Sequence, residues 1–524
     1  MAKPLTIQQV QRIKGSSIVR GTFILTIAGF ITRFIGFFYR IFLSNTMGAE
    51  LMGIYQLIFP VYAICFTIFA TGIQTSISRL VAAELAKRNT KNVYKILRLG
   101  ILVSVILAAI LSILVYVYAD LIAVRFLLEI RSTGSLKILA AVFPFCGITA
   151  CINGYYYGLK QAGVPACTQL LEQVIRVMVV YVIALYLGGG NISVTCEIAV
   201  IGVVAGEIAS CLYNVASMFL TKSPAKTMVS EPDPEAKTTR RKIIFKDLMS
   251  LSIPLSANRL LLSILHSIES VLIPAMLRRS GLNTQASLAA FGVLNGMSIP
   301  FIMFPTALVN ALAVLLLPAI SEAQAVGNDK LIGKTTAVSV KYSMIIGIIS
   351  TGIFIIFGRD LGNTVFHNAA CGEYLIILAW LCPFMYLTTT LGSIINGLGK
   401  AHITFINSIL GTLCKIILIV VLIPSKGITG YLIALLIGQL IITGLDIFAV
   451  IRHVSFQMDA VNSIVKPGII VAFAGNLVNA CYEYLKKMTQ VNEVVFLLAC
   501  CFVLCVICLI LLLITGAITK KDFN

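Results

Sequence analysis

Charged residues, and acidic residues above all, are scarce in this chain. Only 21 of its 524 residues are Asp or Glu, 12% are charged, and there is a single Trp. With a mean hydropathy of +0.98, this composition excludes an ordinary soluble domain and predicts a polytopic helical membrane protein. The positive-inside rule and contact with anionic membrane lipid explain the net charge of +19 better than nucleic acid, so no nucleic-acid partner is expected.

Patterns typical of catalytic or metal sites are also missing. The sequence has no HExxH, no Walker loop and no GxSxG, and its four His are scattered at positions 266, 367, 402 and 453. Most of the fourteen Cys lie in apolar runs, where small side chains facing the core or the lipid are expected even for Cys505-x-x-Cys508. We therefore expect no enzyme, no metal and no cofactor.

Long apolar runs occupy most of the sequence instead. Windows of about 20 apolar residues predict an all-α protein with fourteen transmembrane helices. A cytoplasmic amino terminus places the clusters Lys87–Arg98 and Lys222–Lys246 inside, so both termini are expected in the cytoplasm. The predicted spans lie near residues 17–44, 50–80, 95–118, 135–157, 165–187, 193–220, 248–276, 284–320, 337–357, 373–396, 402–424, 428–452, 464–485 and 491–516.

The sequence repeats internally at an offset of 239 residues. Two rare intramembrane charges match in sign at this offset, Arg176 with Lys415 and Glu207 with Asp446, and Gly53 falls on Gly292. Further matches are Pro144 with Pro383, Thr149 with Thr388, and Gly158 with Gly397. Because the offset covers six helices, orientation is preserved, which predicts two parallel six-helix repeats with the substrate between them and two extra helices after them.

The repeat and one polar segment give the domain boundaries. Residues 221–247 are rich in Pro, Lys and Glu and predict a flexible cytoplasmic linker. We expect residues 1–220 to form the amino-terminal bundle, residues 248–453 the carboxyl-terminal bundle, and residues 454–524 the two appended helices.

Basic residues within the apolar runs are the candidate substrate site. Arg33 and Arg40 lie seven residues apart, hence on one helical face about 10 Å apart, with no acid in that run. A buried charge costs several kcal/mol, so such residues usually mark a pathway, a pair or a cavity. Guanidinium groups bind two phosphate oxygens at once, which favours an anionic ligand. The predicted set is Arg33, Arg40, Arg79, Arg259 and His266.

Six further intramembrane charges predict structural pairs or coupling. Arg176 and Glu207, like Lys415 and Asp446, lie on consecutive predicted helices and are expected to pair across them, since an unpaired buried charge is costly. Glu172 lies four residues before Arg176 and competes for it as a local partner. Glu269 follows His266 by three residues and can partner either His266 or Arg259 or take part in cation coupling.

Four stretches of the sequence carry a family pattern: Gly21-Thr22 to Ala28-Gly29-Phe30-Ile31-Thr32-Arg33-Phe34-Ile35-Gly36-Phe37-Phe38-Tyr39-Arg40, Gly53-Ile54-Tyr55, Ser78-Arg79-Leu80-Val81-Ala82-Ala83-Glu84 and Gly397-Leu398-Gly399-Lys400. They resemble the stage V sporulation protein B group of polysaccharide exporters. The group is related to the lipid II flippases within the multidrug/oligosaccharidyl-lipid/polysaccharide exporter superfamily.

The resemblance implies a flippase of undecaprenyl-pyrophosphate-linked oligosaccharides or a peptidoglycan precursor, working by alternating access in the bacterial cytoplasmic membrane. It implies that Arg33, Arg40, Arg79 and Arg259 engage the pyrophosphate and that the last two helices hold the lipid tail. It leaves open a sporulation role and a cell-wall or polysaccharide synthase as partner. Two alternatives remain: a drug/cation antiporter of the same superfamily, and a membrane glycosyltransferase or polymerase, although the outer loop near 119–134 offers only Asp120 and Glu129.

Overall fold

The fold is built from helices alone in the part of the chain that can be described. The computed structural model describes residues 7–187, 194–220, 239–486 and 492–518, with side chains from residue 24 onward. Within these ranges no strand occurs, which confirms the predicted all-α class. Most of the predicted linker, up to residue 238, lies outside the described residues, as do the two termini. The fourteen cysteines are all free thiols.

The helices divide between two compact units. Unit 1 comprises the chain up to Tyr39 together with Ile54–Val271, and unit 2 comprises Arg40–Gly53 together with the chain from Leu272. The helices that begin in unit 1 are α1 (Ile7–Phe66), α2 (Gly72–Ala86), α3 (Thr90–Val117), α4 (Ala119–Leu121), α5 (Thr133–Ala140), α6 (Phe143–Gly158), α7 (Gly163–Leu187), α8 (Cys196–Leu220) and α9 (Arg241–Arg279).

Unit 2 contains the remaining helices, again connected by short segments. They are α10 (Thr284–Gly292), α11 (Ile299–Met303), α12 (Thr306–Ala325), α13 (Asp329–Phe366), α14 (Ala369–Leu378), α15 (Cys382–Gly397), α16 (Ala401–His453), α17 (Lys466–Lys486) and α18 (Glu493–Ile514). Turns of π-helix occupy Thr67–Thr71, Ile122–Phe126, Val293–Ser298 and Val461–Val465.

Two very long helical segments are interrupted by glycine. The backbone of α1 leaves helical geometry at Gly48, with φ 77° and ψ 171°, and that of α16 leaves it at Gly427, with φ 57° and ψ −139°. A side chain at such a positive φ is unfavourable, so glycine allows the chain to break there without strain. Apolar runs on both sides of each glycine keep the two pieces helical.

Twelve described helical segments are long and apolar enough to cross a membrane. A thirteenth is formed if Ile130–Ala140 and Phe143–Gly158, which are bent by 50°, count as one span. The segment Ile24–Ala86 has 63 residues and Ala401–His453 has 53, and these two contain the glycine breaks. The chain is therefore a multi-pass membrane protein, whereas the number fourteen stays a prediction.

Hydrogen bonds of unit 1 recur in unit 2 at an offset of 239 residues. The Ser112 hydroxyl donates to the carbonyl of Ala140 at 2.6 Å, and 239 residues later the Thr351 hydroxyl donates to Ala379 at 3.0 Å. Asn89 caps α3 by accepting from the Asn92 amide, and Asn328 caps α13 by accepting from Leu331 in the same way. These polar contacts are repeated by the same or a similar side chain, since both caps are Asn and both hydroxyl donors are Ser or Thr.

The packing of the two halves repeats as well. A Cβ placed at Gly158 would lie 2.8 Å from the Ser78 carbonyl oxygen, and one at Gly397 would lie 3.0 Å from that of Leu317, the residue 239 positions after Ser78. The same close helix crossing thus occurs twice. The unit 1 core contains Val81, Val93 and Tyr155, and the unit 2 core contains their equivalents Ile320, Ile332 and Ile394.

The left-handed turns between helices are also in equivalent places. Positive φ occurs at Arg88, Leu128 and Lys160 in the first half, and at Gly327, His367 and Gly399 in the second. Each residue of the second group follows one of the first by 239 positions. A left-handed conformation costs roughly 1–2 kcal/mol for a residue with a Cβ, so the repeated structure imposes these turns on residues that disfavour them.

Candidate functional site

Helix α1 carries two of the predicted site arginines. Arg33 is exposed and Arg40 is partly buried, and the intervening residues are helical. Their separation of seven residues therefore places them on one side of the helix, as the sequence predicted. On another side of α1, Tyr39 is buried with 5% of its surface exposed. Arg33 belongs to unit 1 and Arg40 to unit 2.

Within unit 1, helix α9 packs against the segment that joins α1 to α2 through a row of small polar side chains. The Ser267 hydroxyl donates to the Pro60 carbonyl at 3.2 Å, and the Ser263 and Thr67 hydroxyls lie 3.1 Å apart. At Gly72 a Cβ would overlap Ser256, so the backbones approach closely. Residue numbers rise on one helix as they fall on the other, so the two helices run antiparallel.

This packing brings Arg259 and His266 alongside the helix that carries Arg79. Arg259 follows Ser252 by seven residues and precedes Ser263 by four, so it lies on the packed side of α9. It is nevertheless exposed, as is His266, which places both at the edge of the contact rather than within it. Arg79 is exposed and follows Gly72 by seven residues, on the side of α2 that meets α9.

The two facing arginines do not meet at one point. Arg259 lies opposite residues near 69 of the antiparallel segment, and residue 79 is ten residues further on. At a rise of 1.5 Å per residue, the two arginines are about 15 Å apart along the helices. Arg79 and Arg259 are therefore too far apart to bind one phosphate group together.

Electrostatically, three of these arginines are available to an anion. No carboxylate of the described residues lies within 4 Å of the guanidinium of Arg33, Arg79 or Arg259. His266 differs, because its Nδ1 lies 3.6 Å from Oε2 of Glu269, a carboxylate only 7% exposed. Glu269 thus contacts His266, one of the two partners that the sequence allowed. The substrate-binding roles of the five basic residues stay predictions.

A second group of charges lies on α7 and α8, where the sequence offered Arg176 two partners, Glu172 on its own helix and Glu207 on the next. Arg176 forms its ion pair with Glu172 on its own helix, so the expected interhelical pair with Glu207 is not formed. Glu207 instead accepts a hydrogen bond from the Tyr62 hydroxyl at 3.2 Å. The four-residue spacing within one helix brings Glu172 to Arg176 without any interhelical fit, and this explains why the local pair prevails.

The equivalent acid of unit 2 also has a neutral partner. Asp446 is 2% exposed and accepts a hydrogen bond from Nδ2 of Asn407 at 2.8 Å. Lys415 packs its Cβ against Gly438, where an added Cβ would lie 2.8 Å away. Both repeat-matched acids thus accept a hydrogen bond from a neutral donor. The expected pair of Lys415 with Asp446 stays a prediction.

Sequence reasoning missed these two donors, Tyr62 and Asn407. Their repeat equivalents are Phe301 and Thr168, so the repeat gave no signal for either. The only indication for Asn407 is an amide within an otherwise apolar run, where a buried polar group requires a partner. Tyr62 could be found only from the helix arrangement.

The described helices form a multi-pass membrane fold that known transporters share. The structure superposes on that of "Lipid II flippase MurJ, inward closed conformation" with a TM-score of 0.68 at 16% identity, covering 96% of this chain and 99% of that one. It superposes on an inward-facing multidrug resistance MATE family transporter of the MOP superfamily with a TM-score of 0.67 at 15% identity, covering 80% of this chain and 94% of that one.

The chain belongs to the polysaccharide biosynthesis protein family, whose sequence pattern matches residues 18–324. It is 27% identical to "Stage V sporulation protein B" of Bacillus subtilis over 427 residues, 81% of this chain and 82% of that protein. It is 22% identical to "Lipid II flippase MurJ" of the same organism over 472 residues, 84% of each chain. The resemblance seen in the sequence is thereby confirmed, and these relatives include a flippase and transporters rather than enzymes.

Proposed function

We propose that this protein moves an undecaprenyl-pyrophosphate-linked oligosaccharide or peptidoglycan precursor across the bacterial cytoplasmic membrane. The observation that carries the proposal is the presence of three exposed guanidinium groups in membrane helices, at Arg33, Arg79 and Arg259, with no described carboxylate within 4 Å. A dehydrated cation is costly in a bilayer, so its retention without an acid favours an anionic ligand that neutralises it.

The chemistry of a pyrophosphate fits these groups. Each guanidinium can donate two hydrogen bonds to phosphate oxygens, and a hydrogen bond to a charged group contributes about 1.5–3 kcal/mol. The separation of about 15 Å between Arg79 and Arg259 suits a substrate that carries sugars beyond its pyrophosphate. Arg40 and His266 complete the proposed set, and the relatives named above support the substrate class.

In the proposed cycle the substrate favours one conformation over another because the basic residues contact it differently in the two states. A ligand shifts such an equilibrium only by its difference in affinity for the states. We propose bundles at residues 1–220 and 248–453, a cytoplasmic linker between them, and both termini in the cytoplasm, as the Lys and Arg distribution favours. A cell-wall or polysaccharide synthase is the proposed protein partner.

Helices α17 and α18 are proposed to hold the lipid tail. They pack on each other, where Tyr482 and Phe496 stack at 5.4 Å, and Lys486 joins them to Asp360 of α13 at 3.5 Å. The outer face of α18 is strongly apolar, and Phe502 is 69% exposed. Residues 494–514 contain no charge, so this pair offers hydrocarbon contact rather than an aqueous path.

The test is flipping of a pyrophosphate-linked lipid by the protein in proteoliposomes. We expect Arg33→Ala/Arg259→Ala to reach normal membrane levels and to abolish flipping. Arg125→Ala is the matched control, because Arg125 is also exposed and has no carboxylate partner among described residues but lies in the short π-helical turn after α4. Full activity of the double variant would exclude the proposed mechanism.

The fold similarity to a multidrug transporter supports a second candidate, a drug/cation antiporter. The same proteoliposomes discriminate between a flippase and an antiporter, because an antiporter would move an organic cation in exchange for Na⁺ or protons. The exposed arginines of α1 and α9 disfavour a cationic substrate by repulsion.

A further inference from the structure

A cluster of basic side chains at one end of unit 1 takes no part in the proposed transport site. The cluster, here called the basic patch, lies where the start of α9 is fastened to the start of α3. The Asn92 side chain binds Thr239 twice, donating to its hydroxyl at 2.9 Å and accepting from its amide at 3.2 Å. The basic patch comprises Lys87, Arg88, Lys91, Lys95, Arg98, Arg240, Arg241, Lys242 and Lys246.

Hydrophobic packing fixes the first two turns of α9 in this position. Ile244 and Leu248 are buried in the unit 1 core with Val93 and residues of α2 and α6. Lys95 adds a hydrogen bond from its Nζ to the Thr239 carbonyl at 3.2 Å. The basic side chains of α9 are therefore held beside those of α3 by the fold rather than brought together by chance.

The opposite face of these two turns combines cations with exposed apolar side chains. Ile243 is 49% exposed and Phe245 is 44% exposed, and they lie between Lys242 and Lys246. A helix with this composition suits the boundary between lipid headgroups and acyl chains, where apolar groups insert and cations meet phosphate.

The position of the basic patch along the chain gives its depth. Lys87 and Arg88 lie just before Asn89, the capping residue of α3, which begins at Thr90 and is one of the segments able to cross a membrane. The end of such a helix lies at the level of the headgroups. The basic patch is therefore at the membrane surface, whichever side that surface faces.

Acidic side chains do not neutralise the basic patch within the described residues around it. Glu84 is already engaged, by Lys87 at 2.9 Å and by Asn92 at 2.8 Å. Asp247 is exposed on α9 and is the other acid of this region. Nine basic groups thus lie beside two acids among the described residues, and the excess positive charge favours an anionic surface.

The internal repeat shows that the fold itself does not require these charges. The residues 239 positions after Lys87, Arg88 and Arg98 are Val326, Gly327 and Ala337, and Thr90 is replaced by the acid Asp329. Only Lys91 and Lys95 have basic equivalents, Lys330 and Lys334. The second half keeps the same turn and the same helix cap without the basic patch, so the charges of the first half serve another purpose.

We propose that the basic patch binds anionic phospholipid headgroups at the membrane surface. The phosphates would contact the Arg and Lys side chains of α3 and α9 while Ile243 and Phe245 insert among the acyl chains. This inference does not depend on the transported substrate, because it concerns a surface outside the proposed transport site.

The test is native mass spectrometry of the purified full-length protein titrated with phosphatidylglycerol or with phosphatidylcholine. We expect Arg240→Gln/Arg241→Gln to weaken phosphatidylglycerol binding roughly tenfold, with phosphatidylcholine binding unchanged, because both cations belong to the cluster that would hold the headgroups. Lys330→Gln/Lys334→Gln also removes two charges, but the equivalent end of unit 2 lacks the other cations of the basic patch, so this variant should change binding less than about twofold. Equal losses in the two variants, or none in either, would overturn the proposal.

Two further measurements distinguish a phospholipid from other groups that the basic patch could bind. Inorganic phosphate should fail to displace the lipid at equal concentration, and full displacement would identify a phosphate site instead. Neutralising the linker acids Glu231, Asp233 and Glu235 should leave lipid binding unchanged, and a rise of roughly tenfold would assign the basic patch to the linker. Unchanged thermal unfolding of the Arg240→Gln/Arg241→Gln variant establishes that it is folded.

Discussion

Gly53 and Gly292 occupy equivalent positions of the internal repeat, and their backbones meet within unit 2. A Cβ at Gly292 would lie 2.6 Å from the Gly53 nitrogen and would overlap the Ala49 carbonyl oxygen. A Cβ at Gly53 would in turn overlap the carbonyl oxygen of Leu288, the repeat equivalent of Ala49. Each glycine therefore packs against the carbonyl group four residues before the other glycine, as in a local two-fold contact.

The close approach of these glycines predicts a large effect of one methyl group. We expect Gly53→Ala to destabilise the protein by about 1–3 kcal/mol, because the backbone that it would overlap cannot move as a side chain can. Gly29→Ala is the control, since a Cβ there has open space and helical alanine is favoured over glycine by roughly 0.5–1 kcal/mol. Thermal unfolding in detergent compares them, and equal melting temperatures would contradict the contact.

Replacing arginine by lysine tests how the proposed site binds phosphate. We expect Arg33→Lys and Arg259→Lys to retain part of the flipping activity that the alanine variants lose, because lysine keeps the charge but cannot donate in a bidentate manner. Initial flipping rates in proteoliposomes give the comparison. Wild-type rates for both lysine variants would show that charge alone suffices and that guanidinium geometry plays no part.

The ion pair of α7 predicts which charge exchange is tolerated. Arg176→Glu alone should lower membrane levels, because it breaks a partly buried ion pair and places two like charges on one helix turn. Adding Glu172→Arg should recover much of the protein, since the pair is then reversed on the same helix turn. The control is Arg176→Glu/Glu207→Arg, and recovery by that combination instead, measured by immunoblot of membranes, would place the pair between helices.

The appended helices are expected to contact the lipid tail of the substrate. A photoreactive lipid-linked substrate should label α18 near Phe502, whose side chain is exposed on an uncharged helix. Helix α3 provides the control, because Leu102 and Ile113 are similarly exposed but lie outside the proposed tail site. Mass spectrometry locates the adducts, and equal labelling of α3 and α18 would indicate nothing more than membrane contact.

The internal repeat was predictable because rare residues carry it. One basic and one acidic residue of the first half each match a residue of the same sign 239 positions later, within otherwise apolar sequence. The structure repeats hydrogen bonds, helix caps and left-handed turns at the same offset. The all-α class followed from apolar runs of membrane-spanning length, and the arginine spacing on α1 followed from helical geometry.

The local pair of Glu172 with Arg176 was predictable from their four-residue spacing, whereas the partners of Glu207 and Asp446 were not. Matching Arg176 with Lys415 and Glu207 with Asp446 identified equivalent positions but not contacts. The contact of Glu207 with Tyr62 depends on the placement of α1 beside α8, and that of Asp446 depends on Asn407, about two helical turns before Lys415. The breaks of the two longest helical segments were predictable, because the expected spans near 17–44 and 50–80, and near 402–424 and 428–452, separate at Gly48 and at Gly427.

The left-handed turns that recur between the halves allow different residues to be compared in the same backbone conformation within one molecule. Where the second half has Gly327 and Gly399, the first half holds Arg88 and Lys160 in the same conformation. Each turn thus has the same conformation in both halves, whether or not glycine occupies it. At these positions the two halves compare glycine with a residue that has a side chain in the same left-handed backbone conformation, within one protein.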